Sequence, residues 1–255
     1  MRISCSAGRP RISLANLLPQ IRDAGADYVE LDMPFVLNDL GRTRDAAAAL
    51  HTHLDENGLA LSGLNLSAIA SPTQRTLCDQ VASLREQMDF AQEMGLDTVN
   101  VSAGPRDGQS IEKLVLCLDA ILPSAVEAGL IVNLTNARGS RVENLSDLRF
   151  VMRSVRQDNL RVLIDCPQFH EAGINPRDAI AEFGDRTTAV RLGDRRGRRQ
   201  VALSRGDANI PAILEDLERL GFNGWLVMES PTGGATQVVR HYRRALQYLR
   251  SVTTE

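Results

Sequence analysis

Short apolar, β-branched runs recur eight times along the chain, each ending on a residue that can do chemistry. They are ISC to Cys5, YVELD to Asp32, ALSGLN to Asn65, TVNVS to Ser102, LIVNLT to Thr135, RVLID to Asp165, TAVRLGD to Asp194 and GWLVME to Glu229. Between them, apolar residues recur at intervals of three and four, the period of an amphipathic helix. Leu14, Leu17, Leu18 and Ile21 make one such face. Further helices are predicted over 43–57, 72–94, 110–128, 144–155, 176–183, 210–220 and 236–251, several of them stopped by a glycine. Asn65, Asn100 and Thr135 are spaced by equal steps of 35 residues, as successive units of similar length require. Strands alternating with helices predict a parallel sheet. Eight such units in 255 residues predict one closed (β/α)8 TIM barrel, a single domain over 1–255. Such barrels carry their sites at the C-terminal ends of the strands, so the residues ending these runs are the first candidates for function.

Composition narrows the classes. Hydrophobic residues make up 43%, enough for one sizeable core, and the net charge of −3 argues against a nucleic-acid surface. No run reaches the ~20 apolar residues of a membrane span. MRISCSAGRP lacks the apolar stretch of a signal peptide. The four cysteines form no CxxC pair. A reduced, cytoplasmic protein is expected, acting on a small polar or anionic molecule, with homo-oligomers open.

Several segments resemble the xylose isomerase-like barrels, the superfamily of sugar-phosphate isomerases, epimerases and endonuclease-IV-type enzymes. They are GADYVELDMP, GLALSGLNL, MGLDTVNVSAG, LIDCPQFHEAGINP, VRLGDRRG and RGDANIPAILEDLERLGFNGWLVMES, in this order. The resemblance implies a divalent metal held by a Glu on strand five, an Asp on strand six, a His on strand seven and a Glu on strand eight. Carboxylates and an imidazole suit such ions, which polarise a carbonyl while a carboxylate moves the proton on carbon. This chain departs from that cage. Thr135, followed by Asn136, replaces the Glu, and Arg191 replaces the His. Gln168 stands where relatives have a further His, and Asn65 and Asn100 match histidines on strands three and four. Asp165 and Glu229 remain. Arginine keeps its charge and is no metal ligand. No cofactor or metal is therefore expected, with room left for a weak Mg²⁺ or Mn²⁺ site at Asp165 and Glu229. Multi-zinc endonuclease chemistry lacks its histidines.

Glu229 and Asp165 are the acid/base candidates, and Arg191 the cation for an enolate, carboxylate or phosphate; each could instead form a structural ion pair. Asn65, Asn100, Thr135, Asn136, Gln168 and Asp194 form the expected substrate-binding set. Glu30 reads as a supporting residue. The stretch from Ser230 to Gly234 reads as a phosphate cradle or a plain turn, and Arg195 to Arg199 as a solvated loop. His170 reads as a surface residue, and Cys5 and Cys166 as packing residues. The leading function is an isomerase or epimerase moving a proton next to a carbonyl. A lyase or dehydratase would use the same enolate, and a non-catalytic barrel is the rival.

Overall fold

Alternate residues of a barrel strand face the helices and the barrel axis, so each strand writes two columns of side chains. The computed structural model describes residues 1–7, 12–42, 45–69, 74–106, 110–197, 199–229 and 235–253. Its first units are β1 (Arg2–Ser6), α1 (Leu14–Asp23), β2 (Tyr28–Asp32), α2 (Met33–Leu40), α3 (Ala46–Glu56) and β3 (Ala60–Asn65). Then come α4 (Gln74–Glu93), β4 (Thr98–Ser102), α5 (Ile111–Glu127), β5 (Ile131–Thr135), α6 (Leu145–Ser154), β6 (Leu160–Asp165), α7 (Cys166–Glu171) and α8 (Pro176–Phe183). The chain ends with β7 (Thr187–Leu192), β8 (Asp194–Arg196), β9 (Arg199–Val201), α9 (Ile210–Arg219), β10 (Trp225–Met228) and α10 (Ala235–Val252). Eight strands close a parallel barrel in the order β1-β10-β7-β6-β5-β4-β3-β2, as the alternating pattern predicts. β8 and β9 pair separately as an antiparallel hairpin. No helix among the described residues is long and apolar enough to cross a membrane.

The outward column joins the main core. Val29 and Leu31, Val190 and Leu192, and Leu226 and Met228 are buried against the helical faces. The inward column begins with a separate apolar layer of Leu163, Ala189, Trp225 and Val227, with Tyr28 packed on it. Trp225 meets Tyr28 edge to face at 4.9 Å, and the Arg2 guanidinium lies 4.0 Å from the Trp225 ring centroid. Tyr28 and Trp225 start their strands, so this layer fills the barrel from its N-terminal end.

Helix ends follow their caps. Ser110 accepts from the Lys113 N–H ahead of α5, and Asn144 forms a reciprocal capping box with Asp147 ahead of α6. Three elements go beyond the sequence-based expectation. α2 and α7 begin directly after β2 and β6, with no turn signal between strand and helix. The segment expected to be a solvated loop from Arg195 forms the β8–β9 hairpin instead.

Arg141 ties the loops at the top together. It is 2% exposed, and its Nε donates to the Ala103 carbonyl at 2.7 Å. Nη2 donates to the Ile69 carbonyl, and its backbone N–H donates to Gly104 O at 3.1 Å. Gly104 has φ +69°, and a Cβ there would stand 2.3 Å from Ile69 O, so only glycine lets these loops close. Replacing Arg141 strands two carbonyls that now receive charged donors. Arg141→Met should lower the unfolding free energy by about 2–4 kcal/mol in urea titrations. A loss below about 0.5 kcal/mol, the range of an ordinary surface change, would remove this role from Arg141.

Candidate active site

Above the apolar layer, the inward column turns polar on three strands at once. Glu30 follows Tyr28 on β2, Asp165 follows Leu163 on β6, and Arg191 follows Ala189 on β7, each two positions further along. Arg191 Nη2 donates to Glu30 Oε1 at 2.6 Å, and Nη1 donates to Asp165 Oδ2 at 2.8 Å. The Arg191 side chain is 15% exposed, while those of Glu30 and Asp165 are 2% and 7% exposed. One guanidinium thus bridges two carboxylates across the barrel.

A chain of amides holds this bridge. Asn100 Nδ2 donates to Glu30 Oε2 at 2.9 Å and to Asn65 Oδ1 at 3.0 Å. Asn65 Nδ2 donates to Glu30 Oε1 at 3.1 Å and Asp32 Oδ1 at 2.8 Å. Asn133 Nδ2 donates to Asn100 Oδ1 at 3.0 Å, and Thr188 donates to Asn133 Oδ1 at 2.6 Å. Asn136 pairs with the Asp165 backbone in both directions, at 2.8 and 3.0 Å. Gln168 donates its backbone N–H to Asp165 Oδ1 at 3.0 Å, and its side chain accepts from the Arg138 N–H.

Asn65, Asn100, Thr135, Asn136, Gln168, Asp165 and Arg191 all line one cavity of about 430 Å³ at the strand ends. Asp32 and Ser102 also line it. Glu229 does not. Its Oε1 accepts from Arg195 Nη2, and its Oε2 accepts from Gln200 Nε2 at 3.1 Å. Arg195 Nε also lies 2.9 Å from Glu171 Oε1, and its side chain is only 13% exposed. Gly193 leaves room for Glu229, since a Cβ there would stand 2.3 Å from Oε2.

Asp194, expected among the substrate-binding residues, is placed differently. It is 1% exposed, and its carboxylate accepts from the backbone N–H groups of Arg195, Gly206 and Ala208 at 2.9, 2.7 and 3.1 Å. A short acceptor facing three backbone donors fixes the hairpin, and it has no free oxygen for a ligand. The stretch Ser230 to Gly234 and Arg198 lie outside the described residues, as do the predicted starts of the helices at 43–44 and 72–73.

Charge at the site is unbalanced. Two carboxylates share one guanidinium, and burial pushes Asp165 up against the lowering pull of Arg191. The same carboxylates push Arg191 further up. Glu229 is pushed up to about 7, chiefly by burial; Arg195 pulls it down, and the field of Asp165 adds to the rise. Burial also raises the Cys5 and Cys166 thiols, which fits packing rather than nucleophilic use.

The donor set does not fit the metal cage that the resemblance implies. Its four positions hold Thr135, Asp165, Arg191 and Glu229. Both Asp165 oxygens already accept hydrogen bonds, as do both Glu229 oxygens. A fixed cation stands at the strand-seven position. Among the described residues no group of three or more His, Cys, Asp or Glu is placed to hold an ion.

Two members of the network were underweighted in the sequence. Glu30 and Asn133 share strand parity with Asp32 and Thr135, so the period of two points to them. Arg195 carries no such signal, because its partner Glu229 is 34 residues away and its own segment reads as a charged loop.

Comparison with known proteins agrees with the architecture. The family described as "Xylose isomerase-like TIM barrel" matches residues 18–252. A xylose isomerase domain protein from Planctomyces limnophilus is similar at 20% identity and TM-score 0.77, over 98% of this chain and 95% of that one. D-psicose 3-epimerase from Clostridium cellulolyticum H10 is similar at 17% identity and TM-score 0.77, over 99% of both chains. A probable 3-DHS dehydratase, AsbF, from Bacillus anthracis is similar at 13% identity and TM-score 0.75, over 97% and 99%. At these identities the likeness shows the fold alone. No curated protein matches the chain.

The raised pKa of Glu229 has a definite sign in stability. Its folded value of about 7 lies above the ordinary glutamate value of 4.5, so its contribution is fully present below pH 4.5 and is lost as pH rises through 7. The stability of the wild type relative to Glu229→Gln should fall by on the order of 3 kcal/mol across that window. Chemical denaturation at pH 4.5, 6 and 8 measures it, and a pH-independent difference would show that Glu229 ionises normally.

Proposed function

The chain belongs to the xylose isomerase-like TIM barrel family, and on that premise we propose that it is an isomerase or epimerase acting on a small sugar-like or carboxylated hydroxy-carbonyl compound. The proposal includes a reaction that runs without the divalent ion implied for the cage. The observation that carries it is the Arg191 guanidinium, held between Glu30 and Asp165 at the floor of a polar cavity.

Proton transfer beside a carbonyl leaves negative charge on the carbonyl oxygen. In a buried site that charge needs a fixed partner. Arg191 supplies it. Asp165 is the base, because it lines the cavity and burial raises its affinity for a proton. When Asp165 takes the proton from carbon it becomes neutral, and Arg191 is freed to face the new enolate oxygen. The cluster of Glu30, Asp165, Arg191 and substrate carries the same total charge before and after. A low-dielectric site tolerates that exchange far better than the creation of a new charge. Returning the proton to the neighbouring carbon, while the proton of the adjacent hydroxyl passes to the enolate oxygen, completes an isomerisation. Thr135 and the Gln168 side-chain amide line the cavity and offer groups for the substrate hydroxyls, while Asn65, Asn100 and Asn136 hold the surrounding network in place. Glu229, expected as a second proton carrier, stands outside this cavity with both oxygens held by Arg195 and Gln200, so the proposed proton transfer rests on Asp165.

The test need not know the product. Candidate hydroxy-carbonyl compounds are incubated with enzyme in D₂O, and loss of the C–H signal beside the carbonyl is followed by proton NMR. Wild type should catalyse exchange at the same rate before and after chelation. Asp165→Asn should lose it, and Arg191→Gln should fall by roughly 100-fold or more, the scale for removing one preorganised oxyanion donor. Exchange that stops on chelation and returns with Mn²⁺ or Mg²⁺ would restore metal-assisted chemistry. Binding of such compounds without exchange in any of them would favour a non-catalytic barrel.

A further inference from the structure

The last helix spends its positive charge unevenly. Arg243 Nη2 donates to the Asp23 carbonyl at 2.8 Å, and Arg250 donates to Gly25 O at 3.0 Å and pairs with Asp27 at 3.2 Å. Arg240 and Arg244 have neither ion pair nor hydrogen bond among the described residues. They stand four positions apart, so they share one face of α10, where like charges repel. Among the described residues no acidic side chain pairs with either of them.

Both open onto a cavity between α10 and the β8–β9 hairpin. Its lining is Arg240, Arg244, His241, Gln237, Gln200 and the Val201–Ala202 edge. Among the described residues no acidic side chain lines it. Its volume of about 180 Å³ is below the roughly 300–1,000 Å³ of pockets that enclose whole ligands, so it suits one compact group. The glutamine amides add neutral donors to two forked cations, and guanidinium forks match the oxygens of a phosphate. The cavity shares no lining residue with the one holding Asp165. It nevertheless touches Glu229 twice. Gln200 Nε2 donates to Glu229 Oε2 at 3.1 Å, and His241 hydrogen-bonds the Glu229 backbone.

We propose that this cavity is a second, separate binding site for a phosphate-type oxyanion, gripped by Arg240 and Arg244 with Gln200 and Gln237 beside them. The anion comes either as the phosphate end of a substrate or as a free ion. Because Gln200 serves both the cavity and Glu229, an occupant competes for the hairpin contact that holds this carboxylate. The site stands on its own cations and does not depend on the reaction proposed above.

The test is titration with inorganic phosphate at fixed ionic strength, followed by calorimetry and by the NMR signals of the His241 ring. Wild type should bind saturably with one equivalent. Arg240→Ala/Arg244→Ala should bind at least about ten-fold more weakly, a typical loss for removing charge-assisted hydrogen bonds. Arg219→Ala/Arg243→Ala removes the same charge elsewhere and should bind as wild type does. Both pairs are exposed, and circular dichroism checks that each variant is folded. No saturable binding in wild type, or equal weakening in both variants, would overturn the site. A second arm compares a hexose 6-phosphate with the same hexose lacking the group. Binding tighter than inorganic phosphate, lost in Arg240→Ala/Arg244→Ala, identifies the anion as a substrate tail. Binding no tighter than inorganic phosphate identifies a free anion.

Discussion

The interior of this barrel is organised around a positive charge that cannot be discharged. A guanidinium stays protonated at any pH the protein meets, so burying one commits the fold to surrounding it with acceptors. Arg191 meets that demand with Glu30 and Asp165, drawn from opposite sides of the strand circle. Those carboxylates in turn need donors, which Asn65, Asn100 and the Gln168 backbone provide. Breaking a buried pair from one side typically costs about 3–5 kcal/mol, whereas an apolar replacement of the whole set is often neutral. A network of this kind is therefore a poor way to gain stability. Its presence at the strand ends, open to a cavity, makes sense as a preorganised charge for a reacting molecule.

The top of the barrel is divided between two sets of ties. Arg141 binds the loops after β3, β4 and β5 into one wall. Asp194 gathers the backbone of the hairpin and the loop that follows it. Between them lies the hairpin's hold on Glu229 through Arg195 and Gln200. One carboxylate of the expected acid/base pair thus belongs to the cavity, and the other is held by the β8–β9 ribbon, which pairs apart from the barrel sheet.

Much of this was legible because strands and helices leave periodic marks. Alternation in YVELD, RVLID and TAVRL fixes which residues face the axis, and five of the residues ending the runs, Asp32, Asn65, Ser102, Thr135 and Asp165, line one cavity. Helices with caps at Ser110 and Asn144 fall within a residue or two of expectation. What stayed hidden depends on distance along the chain. Arg195 becomes a buried partner only because Glu171 and Glu229 arrive from other elements. Asp194 looks like a site residue by its position after β7, yet the loop folding back from Gly206 to Ala208 claims its oxygens. Helices such as α2 and α7 start directly at the ends of β2 and β6, so no turn signal marks them off in the sequence.

The apolar floor of Trp225, Tyr28 and their neighbours, with Arg2 laid across it, has a consequence for traffic. It makes the barrel a blind well rather than a tunnel. Whatever enters at the strand ends must back out by the same doorway, and the water it displaces has no lower drain. Entry and exit therefore share one opening, so a molecule already in the well acts as a plug for the next, and the pace of clearing the well sets a ceiling on how fast its occupants can exchange.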